Sequence, residues 1–283
     1  MVSNARVHRL SIVTIIILAT LLVVGQASAQ LNQTRHNNGW ILAAVHAPGY
    51  NGSIWRTDLW IVLARSAENT SMTLYFNRSG RDNSDVYGIS VDLVEGQEVY
   101  YFEDVVDEFL HVGGGSWLGA IHYMCNENVQ VWARVYSISP DGRASYGQMI
   151  EGIPTADASP DSTPWHADEQ QWLYAMKHTA DGRYRVNIGV VNPSNVAATY
   201  SLVIYDRTGN NSDGEITVEV PPFSMVQLSD PFAGAYGGNW EDAIIRIRTT
   251  TEDAQTFAYA SVVDNATNDA FFVRGVKRMR PDQ

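Results

Sequence analysis

Short runs of alternating apolar and polar residues recur along this chain. "MTLYFN" (72–77), "ISVDLV" (89–94), "EVYYFED" (98–104) and "VQVWARVYS" (129–137) belong to its first half. "YSLVIYD" (200–206), "EITVEV" (215–220), "AIIRIRT" (243–249) and "TFAYASVV" (256–263) belong to its second. All are rich in β-branched and aromatic residues and are separated by Gly, Asn, Asp and Pro. Alternation at period two puts apolar side chains on one face, which is how one sheet covers another. "SPDG", ending at Gly142, and "RTGNN", around Gly209, read as hairpin turns. Only "EDVVDEFL", Glu103 to Leu110, has helical spacing, and its counterpart "SDPF" is three residues shorter. One short helix is expected, in the first half.

The halves repeat one another. "WILAAVHAPG" from Trp40 matches "WLYAMKHTADG" from Trp172, with His46 and His178 each six residues on. "RTDLWIVL" from Arg56 matches "RVNIGVVN" from Arg185, and "LYFNRSG" matches "VIYDRTG". "FLHVGGGSWLGAI" from Phe109 and "FAGAYGGNWEDAI" from Phe232 share Phe, Gly-Gly, Trp, Ala and Ile at identical spacing. An internal duplication is the economical explanation. The expected fold is all-β: two tandem antiparallel β-sandwich domains, at 40–154 and 172–277. "TADASPDSTPWHADEQQ" (155–171) has linker composition, residues 30–39 form an N-terminal leader, and residues 278–283 form a basic, solvated tail.

The N-terminus changes the picture of where the chain works. Arg6 and Arg9 precede the uncharged run "LSIVTIIILATLLVV", and Ala27-Ser28-Ala29 supplies a small-residue cleavage site. This is the pattern of a secretory signal peptide over 1–29, and a secreted, periplasmic or extracellular protein is expected. Loss of two of 19 basic residues leaves 17 against 31 acidic, a formal charge of −14. That field repels phosphate backbones and anionic lipid, so neither nucleic acid nor membrane insertion is expected. The single Cys125 rules out an internal disulfide and reads as a small apolar core residue.

Candidate chemistry is sparse. "GGGSWLG" (113–119) approaches a nucleophile elbow around Ser116, but Leu118 takes the place of the second glycine and the repeat carries Asn239. His46 and His178 recur without His or Cys at ligand spacing, so they read as strand-end residues satisfied by backbone groups, and no metal is expected. "DNATND" (264–269) is rich in oxygen ligands, yet it has Ala266 where a calcium loop needs a ligand. A hairpin turn accounts for it equally well. No cofactor is expected, and no adjacent pair of carboxylates offers a glycosidase acid and base. Trp55, Trp117, Trp165 and Trp240 lie in or beside expected loops and are the candidate binding residues, since exposed rings stack on sugar faces. The repeated pair, Trp117 and Trp240, also fits a plug at the end of each core. Sequons at Asn32, Asn51, Asn69, Asn77, Asn210 and Asn265 mark expected surface loops.

Taken with "WRTDLWIVL", "GGGSWLGAI", "VVNPS", "PPFSMVQL" and "AYASVVDNATNDAFFV", the chain resembles a family of exported bacterial proteins with a duplicated all-β domain. The resemblance implies fold and location and carries over no catalytic residues. Where such relatives have Asn in the "VVNPS" segment, the first half has Leu63. The expected function is a non-catalytic secreted or cell-surface binding, adhesion or scaffold protein, its partner a glycan or another surface protein. The alternatives are a carbohydrate-binding accessory module and a polysaccharide hydrolase working between the halves through acids such as Asp58 or Asp104.

Overall fold

The computed structural model describes residues 36–49, 52–63, 70–110, 115–139, 141–142, 145–159, 170–235, 237–267 and 269–278. The expected signal peptide over 1–29, Trp165, most of the proline-rich segment and the sequons at Asn32, Asn51 and Asn69 lie outside them. The fold is all-β and its sheets are antiparallel.

The first half contributes β1 (His36–Pro48), β2 (Ile54–Leu63), β3 (Thr70–Arg78), β4 (Ile89–Leu93), β5 (Val99–Phe102), β6 (Trp117–Ile138), β7 (Ser145–Glu151) and β8 (Ile153–Pro154). β6 organises them. Its first part, Trp117 to Cys125, lies between β1 and β3, and its second, Val129 to Ile138, lies between β2 and β7. The sequence reads here as two strands, "GAIHYM" and "VQVWARVYS". The structure runs them together because the residues between are absorbed as a bulge: His36 faces Val129, while Asn38 already faces Met124.

The second half contributes β9 (Gln170–His178), β10 (Tyr184–Asn192), β11 (Ala198–Tyr205), β12 (Asn211–Val220), β13 (Ser224–Ser229), β14 (Trp240–Thr249), β15 (Phe257–Asp264), β16 (Asp269–Arg274) and β17 (Val276–Arg278). Here β14 and β15 are separate strands, and two sheets result, β12-β11-β14-β9-β17 and β13-β10-β15-β16. The first half shows corresponding neighbours, β4-β3-β6-β1-β8 and β5-β2-β6-β7, but β6 serves both series and β1 also pairs with β2, so its strands form one eight-stranded sheet. One register is also shared: His46 faces Trp117 as His178 faces Trp240. The expected first-half helix is a π-helical turn, Val105–Phe109. Contrary to expectation the second half keeps a short helix too, Pro231–Ala235, which buries Phe232 against His178.

Side-chain alternation decides how the halves pack. Val186, Ile188 and Val190 of β10, with Ala258, Ala260 and Val262 of β15, share one core with Leu173, Leu202, Ile245 and Ile247 of the facing sheet. The alternate residues Val191, Phe257 and Tyr259, with Met225 of β13, enter the core of the first half. The four-stranded sheet is therefore covered on both faces. Phe257 to Val263 are buried without a break for this reason, where a sheet with one wet face would bury every second residue.

Backbone bonds tie the same junction. Gly80 N donates to Met225 O (2.9 Å) and Asn83 N to Pro222 O (3.1 Å). The buried Asn83 amide also donates to Phe223 O (2.9 Å) and to Arg78 O (3.0 Å), and the Ser224 hydroxyl donates to Arg78 O (3.0 Å). Asn77, expected on a surface loop, is instead buried in β3 opposite Ala120, so its sequon is closed to a glycosyltransferase once the chain is folded. Asn210 and Asn265 sit in exposed turns as expected.

His122 of β6 lies between the rings of Trp40 (centroids 4.6 Å apart) and Tyr75 (5.5 Å). Burial pulls its imidazole down to about 4 from an ordinary 6.5. Protons therefore bind the unfolded form from about pH 6.5 downward but the folded form only near 4, so stability is complete above this window and falls as pH drops through it. About 2 kcal/mol should be lost between pH 7 and pH 5. Urea unfolding across that range measures the loss, and the His122→Gln variant should flatten it. An equal pH slope in the variant would assign the effect elsewhere.

Candidate functional site

The paired histidines occupy one arrangement built twice. His46 Nδ1 is 2.9 Å from Asp104 Oδ2, and Arg56 Nε approaches the same oxygen at 3.4 Å. His178 Nδ1 is 2.9 Å from Asp230 Oδ1. Asp104 and Asp230 each open the helical turn of their half with positive φ, 43° and 44°. The expectation that these histidines are satisfied by backbone groups is corrected for His46, whose hydrogen-bond partner is a carboxylate 58 residues away in sequence, whereas His178 Nδ1 lies beside Asp230 without hydrogen-bond geometry. Burial pushes the Asp104 carboxyl up, against His46 and Arg56, which hold it down.

The first half adds to this arrangement. Asp58 Oδ1 accepts from the backbone N–H of Asp104 (3.0 Å) and from the Tyr136 hydroxyl (3.1 Å). Asp107 brings a third ligand atom, so that those of His46, Asp104 and Asp107 lie within 4.8 Å of one another. The second half has no residue in place of Asp107, yet keeps the His–Asp contact. The His46–Asp104 contact ties β1 to the start of the helical turn, and the Arg56 guanidinium offsets the charge of Asp104.

A cleft of about 300 Å³ opens where the halves meet. From the first half it is lined by Trp55 of β2, Ser116 just before β6, Leu118 and Val135 of β6, Gln148 of β7 and the small residues of β1. From the second it is lined by Arg185 and Asn187 of β10, Gln227 of β13, and Tyr259 and Ser261 of β15. The same alternation that buries Val186 and Ile188 on one face of β10 presents Arg185 and Asn187 on the other. Two of the amides are pinned, one within the second half and one across the cleft. The Tyr259 hydroxyl donates to Gln227 Oε1 (2.9 Å), and the Ser261 hydroxyl donates to Gln148 Oε1 (3.1 Å) from the opposite half. Aromatic rings, amides, hydroxyls and one guanidinium suit stacking and hydrogen bonding to a polar ligand.

Of the residues singled out in the sequence, Trp55 and Ser116 reach this cleft. Trp117 and Trp240 do not line it. Trp117 packs partly against the first core with the Arg78 guanidinium 4.0 Å above its ring, and Trp240 packs against Phe232 at the end of the second, its indole N–H bound to Gly237 O (2.8 Å). Ser116 is exposed, and no imidazole is among the described residues of the cleft. Asp58 and Asp104 are buried in the His46 network, away from the cleft lining. Cys125 is buried, which raises its thiol pKa. The 264–269 loop closes the hairpin between β15 and β16, with Asp264 facing Asp269 and Asn265 bound to Gly182 O (2.7 Å). Sequence reading missed Arg185, Asn187, Gln148 and Gln227 as site residues. The only available signal was a polar residue at every second position of a strand that is otherwise Val and Ile. Compared with known proteins, the chain matches no family model and no curated protein.

Proposed function

We propose that this is an exported, non-catalytic binding protein made of two tandem β-sandwich modules that arose by duplication, with its ligand held in the cleft between them. The cleft carries this reading, because it gathers Trp55, Tyr259, three amides and Arg185 from both modules around one space. Corresponding strand neighbours, one shared register and the repeated His–Asp contact support the duplication. The basic–apolar–small pattern of residues 1–29 supports export. Stacking on Trp55 with hydrogen bonding to neighbouring amides is the way a protein holds a sugar, so the ligand is a glycan, and adhesion to a polysaccharide surface or service as a carbohydrate-binding module follows.

Affinity electrophoresis in gels containing neutral and acidic polysaccharides tests this. Retardation is expected in at least one gel, and Trp55→Ala should weaken it about tenfold, the loss of roughly 1.4 kcal/mol of stacking. Retardation that Trp55→Ala leaves unchanged would move the ligand out of the cleft. Release of reducing ends from the gel polysaccharide would replace binding with hydrolysis.

A further inference from the structure

Arg56 and Arg185 occupy equivalent places in the two halves, yet they are partnered differently. Arg56 Nε lies 3.4 Å from Asp104 Oδ2. Among the described residues no carboxylate comes within ion-pairing distance of the Arg185 guanidinium. Its nearest acidic influence is Asp230, which is engaged with His178 at 2.9 Å. Arg185 has left the arrangement that holds its counterpart, and it lines the cleft instead.

The surroundings sharpen what this cation is for. Asp and Glu are absent from the described cleft lining, although the chain has 31 acidic residues against 19 basic ones. Gln227 and Gln148 spend their oxygens on Tyr259 and Ser261, which leaves the NH₂ group of each to donate elsewhere. The cleft is thus rich in donors. A partly dehydrated guanidinium is costly without an anion, and its planar fork fits a carboxylate through two parallel bonds.

We propose that Arg185 anchors a carboxylate, and that the ligand of the cleft is an acidic sugar, a uronate unit of a polysaccharide. The carboxylate meets Arg185, the ring hydroxyls accept from the Gln148 and Gln227 amides, and one sugar face lies against Trp55. This rests on the reading of the cleft as a glycan site and adds the charge of the glycan.

Isothermal titration of the full chain with trigalacturonate, its methyl ester and inorganic phosphate tests it. The free acid should bind at least tenfold more tightly than the ester, and its affinity should fall with added salt. Arg185→Gln should abolish the tenfold preference, so that acid and ester bind alike, with an unaltered melting curve as the control for folding. Should Arg185→Gln fail to fold, Arg185→Lys, which keeps the charge without the fork, should fall between the wild type and the ester. Equal binding of acid and ester, or an acid affinity indifferent to both substitutions, overturns the anchor while leaving a neutral-glycan cleft in place. Phosphate binding as tight as that of the acid overturns the sugar assignment. Binding of neither sugar form overturns the glycan reading of the cleft itself.

Discussion

Replacing Gly189 with alanine is expected to lower the unfolding free energy by about 3 kcal/mol, the upper range for forcing atoms into a packed interior. A Cβ at this position would fall 1.9 Å from Cε1 and 2.2 Å from Cζ of Tyr259, far inside contact distance. Tyr259 faces Gly189 directly across the β10–β15 pair. Its ring has nowhere to go: it is 1 % exposed, stacks on Phe272 with centroids 5.3 Å apart and is tethered through its hydroxyl to Gln227. The first half shows the converse. Trp60 stands in the place of Gly189 and faces Trp132, with Tyr101 beside it 51 % exposed, so that face is open among the described residues. Urea unfolding of Gly189→Ala measures the cost. In a Tyr259→Ala background the same substitution should cost less than about 1 kcal/mol, since the clash is gone. An undiminished cost there would trace the effect to β10 itself.

Asn192→Leu should cost a similar amount, about 3 kcal/mol, for a different reason. Asn192 is fully buried at the end of β10. Its amide N–H groups serve Val196 O (2.7 Å), Pro221 O (3.1 Å) and Val220 O (3.2 Å), while its oxygen accepts from Ser194 N (3.0 Å). One side chain thereby satisfies the turn that leaves β10 and the end of β12. Leucine of similar size fills the space and leaves those backbone groups dehydrated and unbonded. Leu63 holds the equivalent position in the first half and is buried there, which shows that the strand accepts the shape and that the cost lies in the hydrogen bonds. Thermal unfolding of Asn192→Leu beside Leu63→Asn gives the comparison. A melting temperature unchanged in Asn192→Leu would remove the clamp from the account.

These two positions also indicate what the sequence could and could not convey. Strands were legible wherever a face meets water, because alternation in "EITVEV" or "AIIRIRT" records burial on one side only. The double cover of β10 and β15 was not, since "TFAYASVV" spells a buried strand whether the second layer comes from the same half or the other. The recurrence of His46 and His178 was plain, but their carboxylates lie far along the chain and only folding brings them near. Trp55 reads from the sequence as an aromatic in or beside a loop; it lies in β2, partly packed against the first core, and lines the cleft. Arg185 was hidden by its own repetition: aligned with Arg56 it looks like a shared structural residue, and only the separation from Asp230 sets it apart. Asn77 failed in the opposite direction, because a sequon is a local pattern and burial is a tertiary fact.

The sheet enclosed on both sides has a further consequence for how the protein behaves if its backbone is severed between the halves. The two pieces would remain one particle, as an antibody fragment does after nicking, because Val191, Met225, Phe257 and Tyr259 have no aqueous alternative to their seats in the neighbouring core. Each piece made alone would carry an oily wound, and complementation of two separately expressed pieces becomes the natural way to study them.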